Sequence, residues 1–283
     1  MTPNSESDLP HFLCIGAQKA ATSWLWVMLR QHPEIWMPPL KEIHFFDHVH
    51  VPDNRAWTPG HIRKGVTDAL KWHVEHEAIR LDHFKYLVDL ALVEPFTESW
   101  YRACYDRPGA KGKKLGDITP EYCTLPEEGV SHVKRLLGHD LKLIYVIRNP
   151  VDRAISQLKM NLTRKGQESE NESFWLESAQ DPVLQQRGDY KTYIPRWEKH
   201  FPSSNILFLP YKMVQNDPAK LLAAVENHLG VSHFESFAGA SEPVHKTRDA
   251  KVPSGVVGFL KDILAPQDQY LTKRFGKEFF LQT

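Results

Sequence analysis

Near the start of this chain, three pieces in a fixed order narrow what it can fold into. A short apolar run, His11–Ile15, ends at Gly16; a loop of small residues follows, and then a segment with helical spacing. From about Ala21 to Gln31, the residues Trp24, Leu25, Met28 and Leu29 recur at that spacing, and His32-Pro33 closes the segment. Strand, tight loop, helix is the order in which α/β folds build phosphate sites. The first N–H groups of such a helix lack intrahelical partners and carry partial positive charge.

The same alternation continues along the chain. Leu141–Ile147 is a β-branched and aromatic run stopped by Arg148-Asn149-Pro150, and a helix is expected from near Val151 with Ala154, Ile155 and Leu158 on one side. Asn205–Leu209 reads as a further strand, followed by a helix from about Pro218 to Leu229. Strands alternating with helices predict an α/β fold, a central parallel sheet flanked by helices on both faces. Ile43–Phe46 reads as a short extended stretch. The His-, Trp- and charge-rich region 51–112, helical around Asp82–Leu92, reads as a lid or insertion in a single domain spanning 1–283.

The loop Gly16-Ala-Gln-Lys19-Ala-Ala-Thr22-Ser23 departs from the nucleotide loop G-x-x-x-x-G-K-[ST]. Ala21 stands at the second glycine, Thr22 at the lysine, and the lysine has moved to position 19. A kinase or NTPase on a P-loop is therefore the weaker alternative. The loop can still cradle an anion through its backbone N–H groups, the Thr22 and Ser23 hydroxyls and the Lys19 charge. Taken alone, a plain strand–helix turn with a solvated lysine explains it equally well. Ala20 and Ala21 imply ordinary negative φ at both positions.

The second candidate lies at Arg148-Asn-Pro-Val-Asp-Arg153-Ala-Ile-Ser156. Arg148 falls at the carboxyl end of a strand, where open α/β sheets bind ligands. Its guanidinium can make two parallel bonds to a phosphate, and Ser156 can add a hydroxyl. A structural turn with Asp152 at a helix N-terminus is the competing explanation.

Together these segments carry a resemblance. IGAQKAATSWLWVMLRQHPEI resembles the 5′-phosphosulfate loop of sulfotransferases that use PAPS (3′-phosphoadenosine 5′-phosphosulfate), above all the heparan sulfate, or glycosaminoglycan, branch. The likeness continues through Leu40-Lys-Glu-Ile-His-Phe-Phe-Asp47, and Arg148–Ser156 is similar to that family's 3′-phosphate motif R-[DN]-P-x-[ED]-R-x-x-S. The resemblance implies a P-loop-like three-layer fold. It implies a 5′ site of Gly16, Gln18, Lys19, Ala20, Ala21, Thr22, Ser23 and Trp24, with Lys19 also catalytic. It assigns Arg148 and Ser156 to the 3′-phosphate, and Tyr193 and the loop residues Lys246, Thr247 and Arg248 to the rest of the nucleotide. PAPS is then the co-substrate and PAP the product.

By the same resemblance Glu42 is the general base, with His44 the runner-up; in an extended segment both face one side. Asp117-Ile-Thr-Pro-Glu-Tyr122 is similar to the branch's E-K-[ST]-x-x-Y, but Ile118 replaces the lysine. That argues against a polyanionic glycan acceptor and leaves Thr119 and Tyr122 to line the site. The acceptor is a small molecule, a glycan or a lipid bearing a hydroxyl or amine. A non-catalytic nucleotide-binding protein on the same fold is the other alternative.

Composition sets outer limits. The formal net charge of +0 provides no global field for nucleic acid or an anionic membrane. Cys14, Cys104 and Cys123 lack disulfide or zinc spacing and read as free thiols. His44, His48 and His50 invite a zinc reading, which stays a minor alternative, and no metal is assigned. No apolar stretch reaches the length of a membrane span, and no signal core opens the chain, which together suggest a cytoplasmic location.

Overall fold

The computed structural model describes residues 9–75, 81–165, 171–242 and 251–283. Its centre is a five-stranded parallel sheet: β1 Phe12–Gly16, β2 Ile35–Trp36, β3 Lys114–Ile118, β4 Lys142–Ile147 and β5 Ile206–Pro210, in the order β2-β3-β1-β4-β5. Every residue of β1 is buried, as are Leu143–Ile147 of β4. Unbroken apolar runs of this kind suit strands covered on both faces.

The helices are, in chain order, α1 Thr22–Leu29, α2 Phe45–His50, α3 Thr58–Glu75, α4 Leu81–Leu92, α5 Glu98–Ala103, α6 Glu127–Leu137 and α7 Pro150–Lys165. They continue with α8 Glu172–Ala179, α9 Pro182–Gln186, α10 Tyr190–His200, α11 Met213–Asn216, α12 Pro218–Leu229, α13 Ser254–Phe275 and α14 Lys277–Leu281. Local chemistry sets several ends. Asp217 accepts from Lys220 N at 3.0 Å, Pro218 opens α12, and Gly230 closes it at φ 67°. Asn149 Oδ1 accepts from Val151 N at 3.0 Å and Asp152 N at 3.1 Å, so the Asn of the Arg148 motif starts α7.

One core surrounds the sheet. A second, under α7, α8 and α13, is built from Val151, Leu158, Trp175, Leu184, Val256 and Leu260. Region 51–112 carries α3, α4 and α5, and Tyr86, Leu87 and Leu90 of α4 join the main core. Among the described residues no helix is long and apolar enough to cross a membrane.

The strand order positions the site. After β1 the chain steps out to the β2 edge, returns through β3 to the near side of β1, then crosses to β4 and β5 on the far side. The sheet's topological switch thus lies at β1. The loops leaving β1, β3 and β4 all open at its carboxyl end, the ligand crevice of open α/β sheets.

One expectation fails here. Ile43–Phe46 is not extended: α2 begins at Phe45, with His44 as its N-cap at φ 55°, and Glu42 is also left-handed at φ 60°. Buried Phe45 and Phe46 stack into Tyr101, Tyr122 and His132, which pulls the segment into a helix turn rather than a strand.

Candidate active site

Gly16 ends β1 where no side chain fits. A Cβ there would sit 2.9 Å from the Tyr145 ring and 3.1 Å from Cys123 Cβ. Ala17 N then bonds Val146 O at 2.9 Å, and Ala20 N bonds Ala17 O at 3.1 Å, folding the loop over the sheet end. The turn uses left-handed backbone at Lys19 (φ 68°) and at Ala21 (φ 59°, ψ 24°). This corrects the expectation of ordinary φ at Ala21: the tight entry into α1 requires αL there even without glycine.

Lys19 and Arg148 meet across this end of the sheet. Arg148 Nη1 donates to Lys19 O at 2.6 Å, and its guanidinium lies over the Tyr211 ring at 4.5 Å. Arg148 Nε is buried without a hydrogen-bond partner. Tyr190 OH braces the Arg148 backbone, accepting from its N at 3.3 Å and donating to its O at 3.0 Å. Lys19 Nζ lies 3.6 Å from Met160 Sδ. Burial, then Arg148 and Arg164, push the Lys19 amine below its usual range. Ser156, buried, precedes Met160 by one turn on the same face of α7.

Several of the expected site residues have partners within the fold. Trp24 is buried and its indole N–H donates to Ala240 O at 2.9 Å. Gln18 is locked by its neighbours: Nε2 donates to Glu121 Oε1 at 2.9 Å, and Arg187 Nη1 donates to Gln18 Oε1 at 3.0 Å. Arg187 Nη2 also pairs with Glu121 at 2.6 Å. Thr119 and Tyr122, expected to line an acceptor site, are fully buried. Both donate to buried Asp117, at 2.7 and 2.9 Å, and Tyr101 OH adds a third bond at 3.1 Å. Burial nevertheless raises the Asp117 carboxyl to about 6. Ile118 is buried in the core. Tyr193 is buried on α10 with its ring under Arg196, 5.1 Å away, while Tyr190 is the tyrosine that reaches Arg148. Lys246, Thr247 and Arg248 lie outside the described residues.

Glu42 and His44 do come together, through the left-handed turn rather than an extended strand. Glu42 Oε2 lies 3.7 Å from His44 Nε2, and Lys41 Nζ bonds Glu42 Oε1. His44 Nδ1 faces Asp47 Oδ2 at 3.0 Å, and Asn54 Nδ2 donates to that same oxygen at 2.8 Å. Burial opposes ionisation of Glu42, but Lys41 and His44 outweigh it and hold the carboxyl well below its usual range. Burial likewise opposes charge on His44, yet Asp47 and Glu42 raise it to about 10. Trp57 and His61 meet the His44 ring edge-on, at 4.8 and 4.7 Å between centroids. Glu42 and Lys41 are also close enough to act on the Lys19 charge. The loops after β1 and β4 and the turn before α2 thus share one site.

The other histidines of this turn part company. His48 bonds Thr58 Oγ1 at 2.6 Å and stacks on Phe96, and His50 bonds His132 at 2.8 Å.

Residues 10–236 match the pattern of the sulfotransferase family. The chain belongs to that family. Mouse heparan sulfate glucosamine 3-O-sulfotransferase 3B1 is 26% identical over 232 residues, 80% of this chain and 47% of that protein. Human bifunctional heparan sulfate N-deacetylase/N-sulfotransferase 2 is 23% identical over 249 residues, 81% of this chain and 23% of that protein. The chain therefore spans about half the length of the first of these curated relatives, or less. Among solved structures, a sulfotransferase from Alicyclobacillus acidocaldarius superposes with TM-score 0.62 at 22% identity, covering 93% of this chain and 94% of the other. Mouse sulfotransferase SULT7A1 complexed with PAP superposes at 0.52 and 16% identity, covering 98% and 89%. These likenesses establish the sulfotransferase fold, with its P-loop-like parallel sheet.

The candidate site also holds residues to which the sequence reading gave no role. Glu121, Arg187 and Tyr190 support the phosphate loop and Arg148 from segments far away in the chain. Arg187 and Tyr190 sit in a recognisable R-G-x-Y run. Its glycine has a reason: a Cβ at Gly188 would sit 2.8 Å from Arg153 Nε. Arg153 itself is buried, donating to Gln157 at 2.6 Å and to Leu184 O, and is a core residue rather than a ligand contact.

Proposed function

We propose that this chain transfers a sulfuryl group from PAPS to an acceptor hydroxyl or amine, with Glu42 as general base. The observation that carries the reading is the junction of Lys19 and Arg148 at the sheet's switch point, beside Glu42. A buried, unpartnered guanidinium nitrogen and a lysine crowded by cations both fit an anionic ligand.

In this reading the backbone N–H groups entering α1, with Thr22 and Ser23, hold the 5′ end. Arg148 and Ser156 hold the 3′-phosphate, which distinguishes this donor from ATP. PAPS supplies the sulfuryl group: the acceptor atom bonds to sulfur as the bond from sulfur to the 5′-phosphate oxygen breaks, and PAP leaves. Lys19 stabilises negative charge on the departing oxygen, as charged groups do in phosphoryl transfer. Glu42, ionised at neutral pH, receives the acceptor's proton. The Asp47–His44 pair holds the turn that aims it. Trp57 and His61 give the acceptor side aromatic edges in place of the lysine lost at Ile118.

Ligand-induced thermal stabilisation without magnesium tests the donor assignment: PAP should stabilise the protein more than ATP or ADP. Mass-spectrometric transfer from PAPS to a panel of sugars, lipid alcohols, amines and phenols tests the reaction. Equal stabilisation by ATP, or no transfer to any acceptor, contradicts it.

A further inference from the structure

The imidazole of His44 is 1% exposed, yet its Nε2 has no hydrogen-bond partner. Its other nitrogen is fixed against Asp47, which Asn54 holds in turn. A carboxylate on one nitrogen of an imidazole sets the ring's direction and strengthens the other nitrogen as a donor. Metal-bound histidines are supported in this way. Nε2 is directed toward Glu42 Oε2, at 3.7 Å too distant for a hydrogen bond. His61, in the first turns of α3, closes the third side with its ring edge-on to His44. One donor atom from each of Glu42, His44 and His61 lies within 4.8 Å of the other two.

We propose that Glu42, His44 and His61 form a binding site for a divalent transition metal of the zinc class, and that filling it shuts off transfer by occupying the Glu42 carboxylate. The shut-off rests on the assignment of Glu42 as base; the binding does not. Two imidazoles and one carboxylate suit Zn²⁺, whereas Mg²⁺ and Ca²⁺ prefer oxygen donors. Donors around tetrahedral zinc stand roughly 3.4 Å apart, so separations of up to 4.8 Å must close by up to about 1.4 Å. Glu42, 26% exposed, and the half-buried His61 must both move toward His44, which is walled in. The ion displaces the Lys41 ammonium from Glu42 and the proton from His44 Nε2, which passes to solvent while Nδ1–H stays on Asp47. Three protein ligands leave the fourth position of the ion for water.

Calorimetric titration of the untagged full chain with zinc chloride tests this, using wild type, His61→Ala and His132→Ala. The third protein controls for the separate His50–His132 pair. This readout needs neither PAPS nor acceptor, so its failure is distinct from failure of the transfer reading. Wild type and His132→Ala should bind one Zn²⁺ with matching affinity, and His61→Ala should bind it at least tenfold more weakly. Equal PAP stabilisation of His61→Ala and wild type would show that the variant is folded. Co²⁺ in place of Zn²⁺ should give the visible absorption of a four-coordinate ion in wild type only weakly retained in His61→Ala. Where transfer is measurable, zinc should inhibit wild type reversibly by chelator and inhibit His61→Ala less. Absence of zinc binding to wild type, or equal affinity in His61→Ala, overturns the site. Binding that depends on His61 but leaves transfer untouched overturns the shut-off.

Discussion

Arg148 Nη1 donates to the carbonyl oxygen of Lys19 at 2.6 Å, tying the loop after β4 to the loop after β1. The bond leaves Arg148 Nε buried and free. One guanidinium therefore shapes the loop after β1 and keeps one buried donor unpartnered.

Replacing Arg148 should weaken PAP by removing both effects. Hydrogen bonds to charged groups contribute about 1.5–3 kcal/mol each, so Arg148→Ala should raise the PAP dissociation constant roughly 10- to 100-fold or more. Arg148→Lys keeps charge but loses the fork, and should fall between. Calorimetry with PAP checks both variants; affinity within twofold of wild type in Arg148→Ala contradicts the role.

Glu42→Gln should leave PAP affinity within about twofold and lower turnover by about 10²–10⁴-fold. The pH profile separates Glu42 from His44. Glu42 is held well below the usual carboxylate range, so its basic form persists until pH falls through that low value. His44, raised to about 10, is charged at neutral pH and could act as a base only as pH climbs toward that value. The kcat/KM profile should therefore show no rise attributable to His44 between about pH 6 and 9. A rate climbing steadily toward pH 10, and lost in His44→Gln but not in Glu42→Gln, would make His44 the base.

Ala21 sits in left-handed backbone at φ 59°. For an L-residue that conformation costs roughly 1–2 kcal/mol, and glycine removes the cost while giving back about 0.5–1 kcal/mol of chain entropy. Ala21→Gly should thus gain up to about 1.5 kcal/mol in urea unfolding and keep PAP affinity. Ala21→Val, with a β-branched side chain at positive φ, should lose stability; the reverse order contradicts the strained geometry.

Asp117 gives a stability test with a definite sign. Its folded carboxyl titrates near 6 against 3.8 for the free group, because burial outweighs three hydroxyl donors. The folded state therefore binds this proton more readily between those values. The contribution is full below 3.8 and is lost as pH rises through about 6. The full span is on the order of 3 kcal/mol. Asp117→Asn keeps the shape and removes the titration, so it should flatten this part of the curve relative to wild type. Urea melts from about pH 4 to pH 7 check it, and an unchanged slope contradicts it.

The elements that sequence reading recovered are those set by local chemistry. β1, β4 and β5 are short apolar runs with definite stops, and α12 carries its Asp, Pro and Gly signals at both ends. The strand–loop–helix order at Gly16–Ser23 and at Arg148–Ser156 was legible because each segment is contiguous. What escaped depends on distance or on unusual backbone. Nothing near Gln18 in the chain predicts that Glu121 and Arg187 will clamp it. Ala21, Glu42 and His44 adopt left-handed geometry without glycine to announce it, so the turn before α2 read as extended chain. Thr119 and Tyr122 looked like acceptor contacts until Asp117, buried beside them, took both hydroxyls. His61 had one local sign, its four-residue spacing from Trp57 on a helical face, but only the fold brings that face to His44.

A crystal structure with PAP tests the account most directly. One PAP molecule should span the site, its 5′-phosphate on the Gln18–Ser23 backbone and Lys19, its 3′-phosphate on Arg148 and Ser156, with Glu42 facing the vacated sulfuryl position. PAP bound elsewhere, or touching only one of the two loops, would contradict the central claim.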